Sequence, residues 1–335
     1  MAKKSLERIL IIQTAFLGDV ILATGLVEKI YQHYPEVEID FLVRKGYESL
    51  FDSHPKIRRV IIFDKTRHKS MNLPRVIRKI RSLKYDMVIN VQRFISTGLI
   101  TVLSGATISV GFDKNPLSLL FSKRIKHRFD GEHETGRNHK LVGWFTDDEP
   151  GRPALYPQHR HLENITAYRQ GNYICLAPAS IWFTKQFPVE KWLEIIGLAP
   201  NQMIVYLVGG SGDRSLGEEI RARAGSGKVI NLCGELGFLD TAALMRGASM
   251  NFVNDSAPMH MASAMNAPVC AIYCSTLPSF GFGPLSDRSF ILEIRDNLYC
   301  RPCGIHGRKK CPEGHFRCAC DIGVDQMAEV MGKLE

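Results

Sequence analysis

Short apolar runs, each followed by a helical pattern, recur in two successive series along this chain, and that alternation limits the fold more than any other feature. In the first series RILIIQ (8–13), EIDFLVR (38–44), RRVIIFD (58–64), YDMVINVQ (85–92) and ISVGFD (108–113) read as strands, with helical spacing over about 19–33 and 72–83. The second series is YICLAPAS (173–180), MIVYLVGG (203–210), KVINLCG (228–234), MNFVND (250–255) and PVCAIYC (268–274). Helices fit between these runs at about 188–198, 212–224, 238–247 and 256–265, and a last one at about 323–334. Apolar runs of this length suit strands buried on both faces. Their alternation with helices predicts an α/β protein with parallel sheets covered on both sides. Two series predict two doubly wound, Rossmann-like domains. The stretch 114–171 is rich in His, Arg and Pro, so the boundary is expected at 160–170, giving domains 1–165 and 166–335. Ligands of such sheets bind beyond the carboxyl ends of the strands, so the loops after the strands are the places to search.

A length of 335 residues accommodates two domains. With 45% hydrophobic and 23% charged residues the chain is not of the disordered class. No apolar run reaches the ~18–20 residues of a membrane span. The start, MAKKSLERILIIQ, lacks the apolar stretch and cleavage site of a signal peptide, so a cytoplasmic location is expected. The net charge of +9 is concentrated: from Arg44 to Arg93 there are 14 Lys and Arg against 4 Asp and Glu. Such a surface attracts nucleic acid, an anionic membrane face or an anionic glycolipid, or is simply a solvated face.

Four motifs follow strands. In TAFLGD (14–19), Gly18 permits a tight turn and Asp19 lies in the first turn of a helix, where the dipole favours its anion. With an ordinary pKa of about 3.9 it is ionised and able to take a proton, or it serves only to cap the helix. The glycine fingerprint of dinucleotide folds, G-x-G-x-x-G, is missing here. APASIWFTKQFP (177–188) offers Ser180, Thr184 and Lys185, the hydroxyls and ammonium that a diphosphate needs. In NLCGELGFLD (231–240), Glu235 is placed to accept hydrogen bonds from ribose hydroxyls. In FVNDSAPMH (252–260), Asp255 and Ser256 close a strand and open a helix, and His260 follows Ser256 by one turn; the amides there make an anion site.

Cys175, Cys233, Cys270 and Cys274 lie in apolar runs and read as core residues. The segment CRPCGIHGRKKCPEGHFRCAC (300–320) is different. Cys300, Cys303, Cys311 and Cys318 could hold a structural zinc, pair as disulfides, or remain free thiols in a packed loop; Cys320, His306 and His315 lie beside them. A cytosolic address disfavours stable disulfides. Arg301, Arg308, Lys309, Lys310 and Arg317 make the segment basic, as suits a position near an anionic acceptor or membrane.

Taken together, the early G-D, the later K-x-F-P, the G-E, and N-D-S-x-x-M-H followed by an A-x-A-x-x-x-P strand resemble glycosyltransferase family 9, which contains the ADP-heptose:lipopolysaccharide heptosyltransferases. The resemblance runs from Ile9 to about Ile322. It implies a GT-B fold with the acceptor on the N-terminal domain, the nucleotide sugar mainly on the C-terminal one, and the active site in the cleft between them. It also implies inversion at the anomeric carbon with no metal required. By that resemblance Asp19 is the general base, Thr184 and Lys185 hold the diphosphate, and Glu235 binds the ribose. Asp255, Ser256 and His260 line the donor phosphates and sugar, with Ser180 beside them. Partners would be ADP-heptose or a related nucleotide sugar, an anionic lipopolysaccharide core, and the inner leaflet of the membrane; nucleic acid is not expected. Two positions depart from the family pattern: Ala257-Pro258 replace the usual glycine after D-S, and K-Q-F-P has Gln186 where the family more often carries Arg. Competing readings are a basic nucleic-acid-binding module and a nicotinamide-dependent oxidoreductase. RNA-binding strand motifs, zinc-finger spacing and the glycine fingerprint that they need are not found.

Overall fold

The structure is a computed structural model describing residues 6–65 and 69–334. It divides into two compact units, Met1–Tyr156 and Pro157–Glu335. The first contains, in order, β1 (Arg8–Ile12), α1 (Leu17–His33), β2 (Glu38–Arg44), β3 (Arg59–Phe63), α2 (Lys69–Ser82), β4 (Met87–Asn90), α3 (Ile95–Val102), β5 (Ile108–Phe112), β6 (Lys123–Ile125) and α4 (Glu134–His139). Its six strands form one sheet in the order β3-β2-β1-β4-β5-β6, every pair parallel. Ile9–Ile12 of β1 and all of β4 are buried, as expected of central strands between helical layers.

The second unit contains α5 (His159–Asn164), β7 (Tyr173–Ala177), α6 (Val189–Leu198), β8 (Ile204–Leu207), α7 (Arg214–Ala224), β9 (Val229–Asn231), α8 (Phe238–Gly247), β10 (Met250–Asn254), α9 (Ala257–Ala264), β11 (Val269–Tyr273), β12 (Ser289–Glu293), α10 (Arg317–Cys320) and α11 (Val324–Met331). The sheet order is β12-β11-β10-β7-β8-β9, again all parallel. Counted within the unit, this is the same 3-2-1-4-5-6 order as in the first. Each sheet reverses direction between its first and fourth strands, the place where doubly wound folds hold ligands.

The strands expected from apolar runs all form, within a few residues at their ends. Two edge strands were not legible. β6 is three residues, two of them charged, and β12 is mostly half-exposed to exposed, so neither carries the buried pattern of a central strand. The stretch 114–171 is not one irregular linker. Residues 151–154 return across α1, where Gly25 and Gly151 meet so closely that a Cβ on Gly25 would lie 2.4 Å from the Gly151 carbonyl oxygen. The Ala154 N–H donates to Thr24 Oγ1 at 3.0 Å, sealing that crossing. By contrast α5 packs on α8 of the second unit, with Asn164 Nδ2 donating to Asp240 Oδ1 at 3.2 Å. The division therefore falls at 156/157, ahead of the 165/166 boundary read from composition. No helix among the described residues is long and apolar enough to cross a membrane.

Candidate active site

At the first unit's switch point the loops after β1 and β4 are joined through amides. Gln92 Nε2 donates to Gln13 Oε1, and Gln13 Oε1 also accepts the Ala15 N–H at 3.2 Å. Both glutamines are buried. The chain then passes the exposed Phe16 and enters α1, with Asp19 half-buried in its first turn. A carboxylate there sits in the positive end of the helix dipole, which favours the anion needed to accept a proton. Lys65, after β3, donates to Thr14 O at 3.0 Å and Thr14 Oγ1 at 2.7 Å, so a cation stands at the same end of the sheet. Sequence reasoning found Asp19 but not Gln13, Gln92 or Lys65. Gln13 directly follows β1, while Gln92 and Lys65 each lie two residues past the end of their strand, and that position is the one signal that could have singled them out.

The second unit's switch point lies between β7 and β10 and is knitted by Asn254. Its Nδ2 donates to Pro178 O at 2.8 Å and its Oδ1 accepts the Phe187 N–H at 3.0 Å, so one buried amide fixes both ends of the 178–187 loop. Lys185 Nζ lies 2.7 Å from Asp255 Oδ2, with only 14% and 8% of the two side chains exposed. Thr276 Oγ1 donates to the same carboxylate oxygen at 2.7 Å. Ser256 caps α9 with extended backbone, and α9 forms with Pro258 in its first turn, where the missing N–H costs nothing. Lys185, Asp255 and the α9 N-terminus thus share one corner, as the sequence motifs implied. His260 is buried one turn into α9, its ring 6.5 Å from that of Phe282.

Thr184 has a different place from the one expected. It is fully buried, and its hydroxyl oxygen accepts the Arg308 N–H at 2.7 Å and the Ser275 hydroxyl at 2.9 Å. Such a group positions the loop and does not reach a diphosphate. Ser180 is half-buried, and its carbonyl accepts Gln186 Nε2 at 2.6 Å, a side-chain bond that occupies the uncharged residue of K-Q-F-P. Glu235 follows β9 and pairs with Arg214 at 2.5 Å at the surface. Gly234 before it has φ +80°, and a Cβ there would lie 2.6 Å from Ser211 Cα, so the turn presenting Glu235 requires glycine.

The Cys-rich segment belongs to this same corner. The Cys303 N–H donates to Ser275 O at 2.9 Å, and Arg301 Nη2 donates to Thr276 O at 2.9 Å and pairs with Glu293 at 2.6 Å. Cys318 is buried and its thiol is pushed up to about 12, chiefly by burial, so it packs as a neutral group. Cys300, Cys303 and Cys311 are half-buried, and Cys300 Sγ lies 3.9 Å from His315 Nε2. Among the described residues no three His, Cys, Asp or Glu side chains come together as a metal site requires.

The sequence profile of glycosyltransferase family 9 (heptosyltransferase) matches residues 73–315. Lipopolysaccharide heptosyltransferase 1 of Pseudomonas aeruginosa is 24% identical over 312 residues, spanning 88% of this chain and 86% of that protein. Its counterpart in Escherichia coli K12 is 24% identical over 309 residues, spanning 87% and 95%. Among solved structures, E. coli ADP-heptose lps heptosyltransferase II superposes with a TM-score of 0.80 at 20% identity, covering 98% of both chains. E. coli heptosyltransferase WaaC with ADP gives 0.74 at 18% identity, covering 98% of this chain and all of the other. The fold is accordingly GT-B, and the profile covers well over half of the sequence: the chain belongs to glycosyltransferase family 9, the heptosyltransferases.

Proposed function

We propose that this protein is an inverting heptosyltransferase that moves a heptose from ADP-heptose to an anionic lipopolysaccharide core acceptor. The observation that carries the reading is the buried Lys185–Asp255 pair beside the N-terminus of α9, an anion-receiving corner at the switch point of the second sheet. The relatives' names supply the sugar and the acceptor. In the reaction, Asp19 takes the proton from the acceptor hydroxyl as its oxygen attacks C1 of the heptose. The bond from C1 to the diphosphate breaks, and the charge left on the diphosphate is met by Lys185 and the α9 amides. With those groups in place the transfer calls for no metal. Glu235 receives the ribose, while Asp255 and the Thr276 hydroxyl hold the lysine in position. The basic stretch 44–93 suits an acceptor bearing phosphates and carboxylates, and it suits work at the cytoplasmic face of an anionic membrane, where each Lys or Arg near the surface adds about 1 kcal/mol of attraction.

The test offers purified protein ADP-heptose and heptose-deficient lipopolysaccharide and follows the mass of the acceptor and the release of ADP. Gain of one heptose unit with matching ADP release is expected. ADP-heptose left intact, while another nucleotide sugar is consumed, would reassign the donor.

A further inference from the structure

We infer that Arg308, from the Cys-rich segment, is the second cation of the diphosphate site. The inference rests on the donor site just proposed and adds to it a residue that the sequence marked only as one of several basic residues in the Cys-rich segment. Within that site Lys185 stands 2.7 Å from Asp255, so the two charges cancel and the pair brings no net charge to a ligand carrying two or more negative charges. The neighbouring Gln186 is uncharged and its amide is bonded to the Ser180 carbonyl. Arg301 is committed to Glu293 and to two backbone carbonyls. A further cation is needed, and Arg308 is anchored where it can serve.

The anchor is a pair of backbone bonds. The Thr184 N–H donates to Arg308 O at 3.1 Å, and the Arg308 N–H donates to Thr184 Oγ1 at 2.7 Å. These hold the two residues side by side, one position from Lys185. Gly307, with φ +77°, makes the approach possible: a Cβ there would lie 3.0 Å from both Lys185 Cγ and Thr184 Oγ1. The Arg308 side chain itself is exposed, and its described bond is a long one, Nε–H to the Cys303 carbonyl at 3.4 Å. A planar guanidinium with N–H groups to spare suits a phosphate better than an ammonium does, because it can bind two oxygens at once. Thr184 is then a positioning residue, tying the tail segment to the diphosphate loop.

The experiment is calorimetric titration of full-length protein with ADP and with AMP, which lacks the β-phosphate. Arg308→Gln should weaken ADP about tenfold, which is about 1.4 kcal/mol, and AMP by less than about twofold. Arg308→Lys should recover part of the loss, and Lys309→Gln, one residue along the same exposed basic stretch, should leave both affinities unchanged. Equal ADP affinity in wild type and Arg308→Gln, or an equal loss in Lys309→Gln, overturns the assignment. Thr184→Val should weaken ADP as Arg308→Gln does, and Thr184→Ser should restore it. Wild-type protein that binds neither nucleotide overturns the donor site as a whole, an outcome separable from failure of Arg308 alone.

Discussion

Removing the counter-ion of Lys185 while leaving the lysine in place isolates the interaction on which the donor site is built. Asp255→Asn keeps the shape of the side chain and an oxygen for the Thr276 hydroxyl, but strands an ammonium that is 14% exposed. Breaking a buried ion pair from one side costs about 3–5 kcal/mol. The lysine retains a path to water, so the lower end applies, about 3 kcal/mol. The second unit spans residues 157–335, a size at which each kcal/mol moves Tm by about 2–4 °C. The expected loss is therefore about 6–12 °C by differential scanning calorimetry at pH 7. Lys185→Met with Asp255→Asn removes both charges and should be more stable than Asp255→Asn alone, because a pair replaced by neutral groups is close to neutral in stability. The double-mutant cycle should give a coupling of about 2 kcal/mol or more. Additive losses from the two single variants would show that the ion pair is incidental and refute the argument.

Asp19→Asn should lower turnover by about 10²–10⁴-fold and leave ADP affinity unchanged, since in the proposed reaction Asp19 acts only on the acceptor's proton; parallel loss of nucleotide binding would mark a structural residue. Gln13→Leu should cost about 1–3 kcal/mol of stability by leaving the buried Gln92 amide without its acceptor, measured by urea unfolding, and no change would dismiss the bridge between the loops after β1 and β4. Burial, and then the charge of Lys56, lowers the His54 pKa from 6.5 to about 4. The unfolded chain binds this proton near 6.5 and the folded one near 4, so stability contributed at neutral pH is lost as pH falls through that window. His54→Phe should therefore lose less Tm than wild type between pH 7 and 4.5; parallel pH profiles would contradict the assignment.

Most of the architecture could be read from the sequence because central parallel strands advertise themselves. Buried on both faces, β1, β4, β7 and β10 are mostly apolar, with polar residues confined to Arg8, Tyr173, Asn90, Asn251 and Asn254. Two of the four edge strands could not be read: β6 has a single apolar residue, and the short apolar centre of β12 is only partly buried. The sequence marks a candidate residue where chemistry and chain position coincide, as at Asp19, Lys185 and Asp255. A residue's place was not legible where it works through distant backbone. Thr184 looked like a ligand because a hydroxyl beside a lysine in a loop fits a phosphate. Its real partners, Ser275 and Arg308, are remote in sequence, and no spacing rule reports them. The Cys-rich segment shows the same limit: the sequence displays its cysteines, but not that its backbone braces the loop that carries Lys185.

The two switch points, topologically the same, are finished with opposite chemistry. In the first unit the loops are tied by neutral amides, Gln13 and Gln92, with a carboxylate one helical turn beyond them. In the second unit the loops are tied by one amide, Asn254, and one ion pair, Lys185–Asp255, at the start of a helix. A pre-formed ion pair holds an ammonium in a fixed place before any ligand arrives, and it is of use only if the ligand is an anion strong enough to share it. In the proposed reaction the same sheet order thus serves proton acceptance in one half and anion binding in the other. Exchanging the ties should exchange the consequences: a charged pair in place of Gln13 and Gln92 would draw the Asp19 loop into a salt bridge and depress turnover. A neutral pair in place of Lys185 and Asp255 would spare the fold and abolish donor affinity.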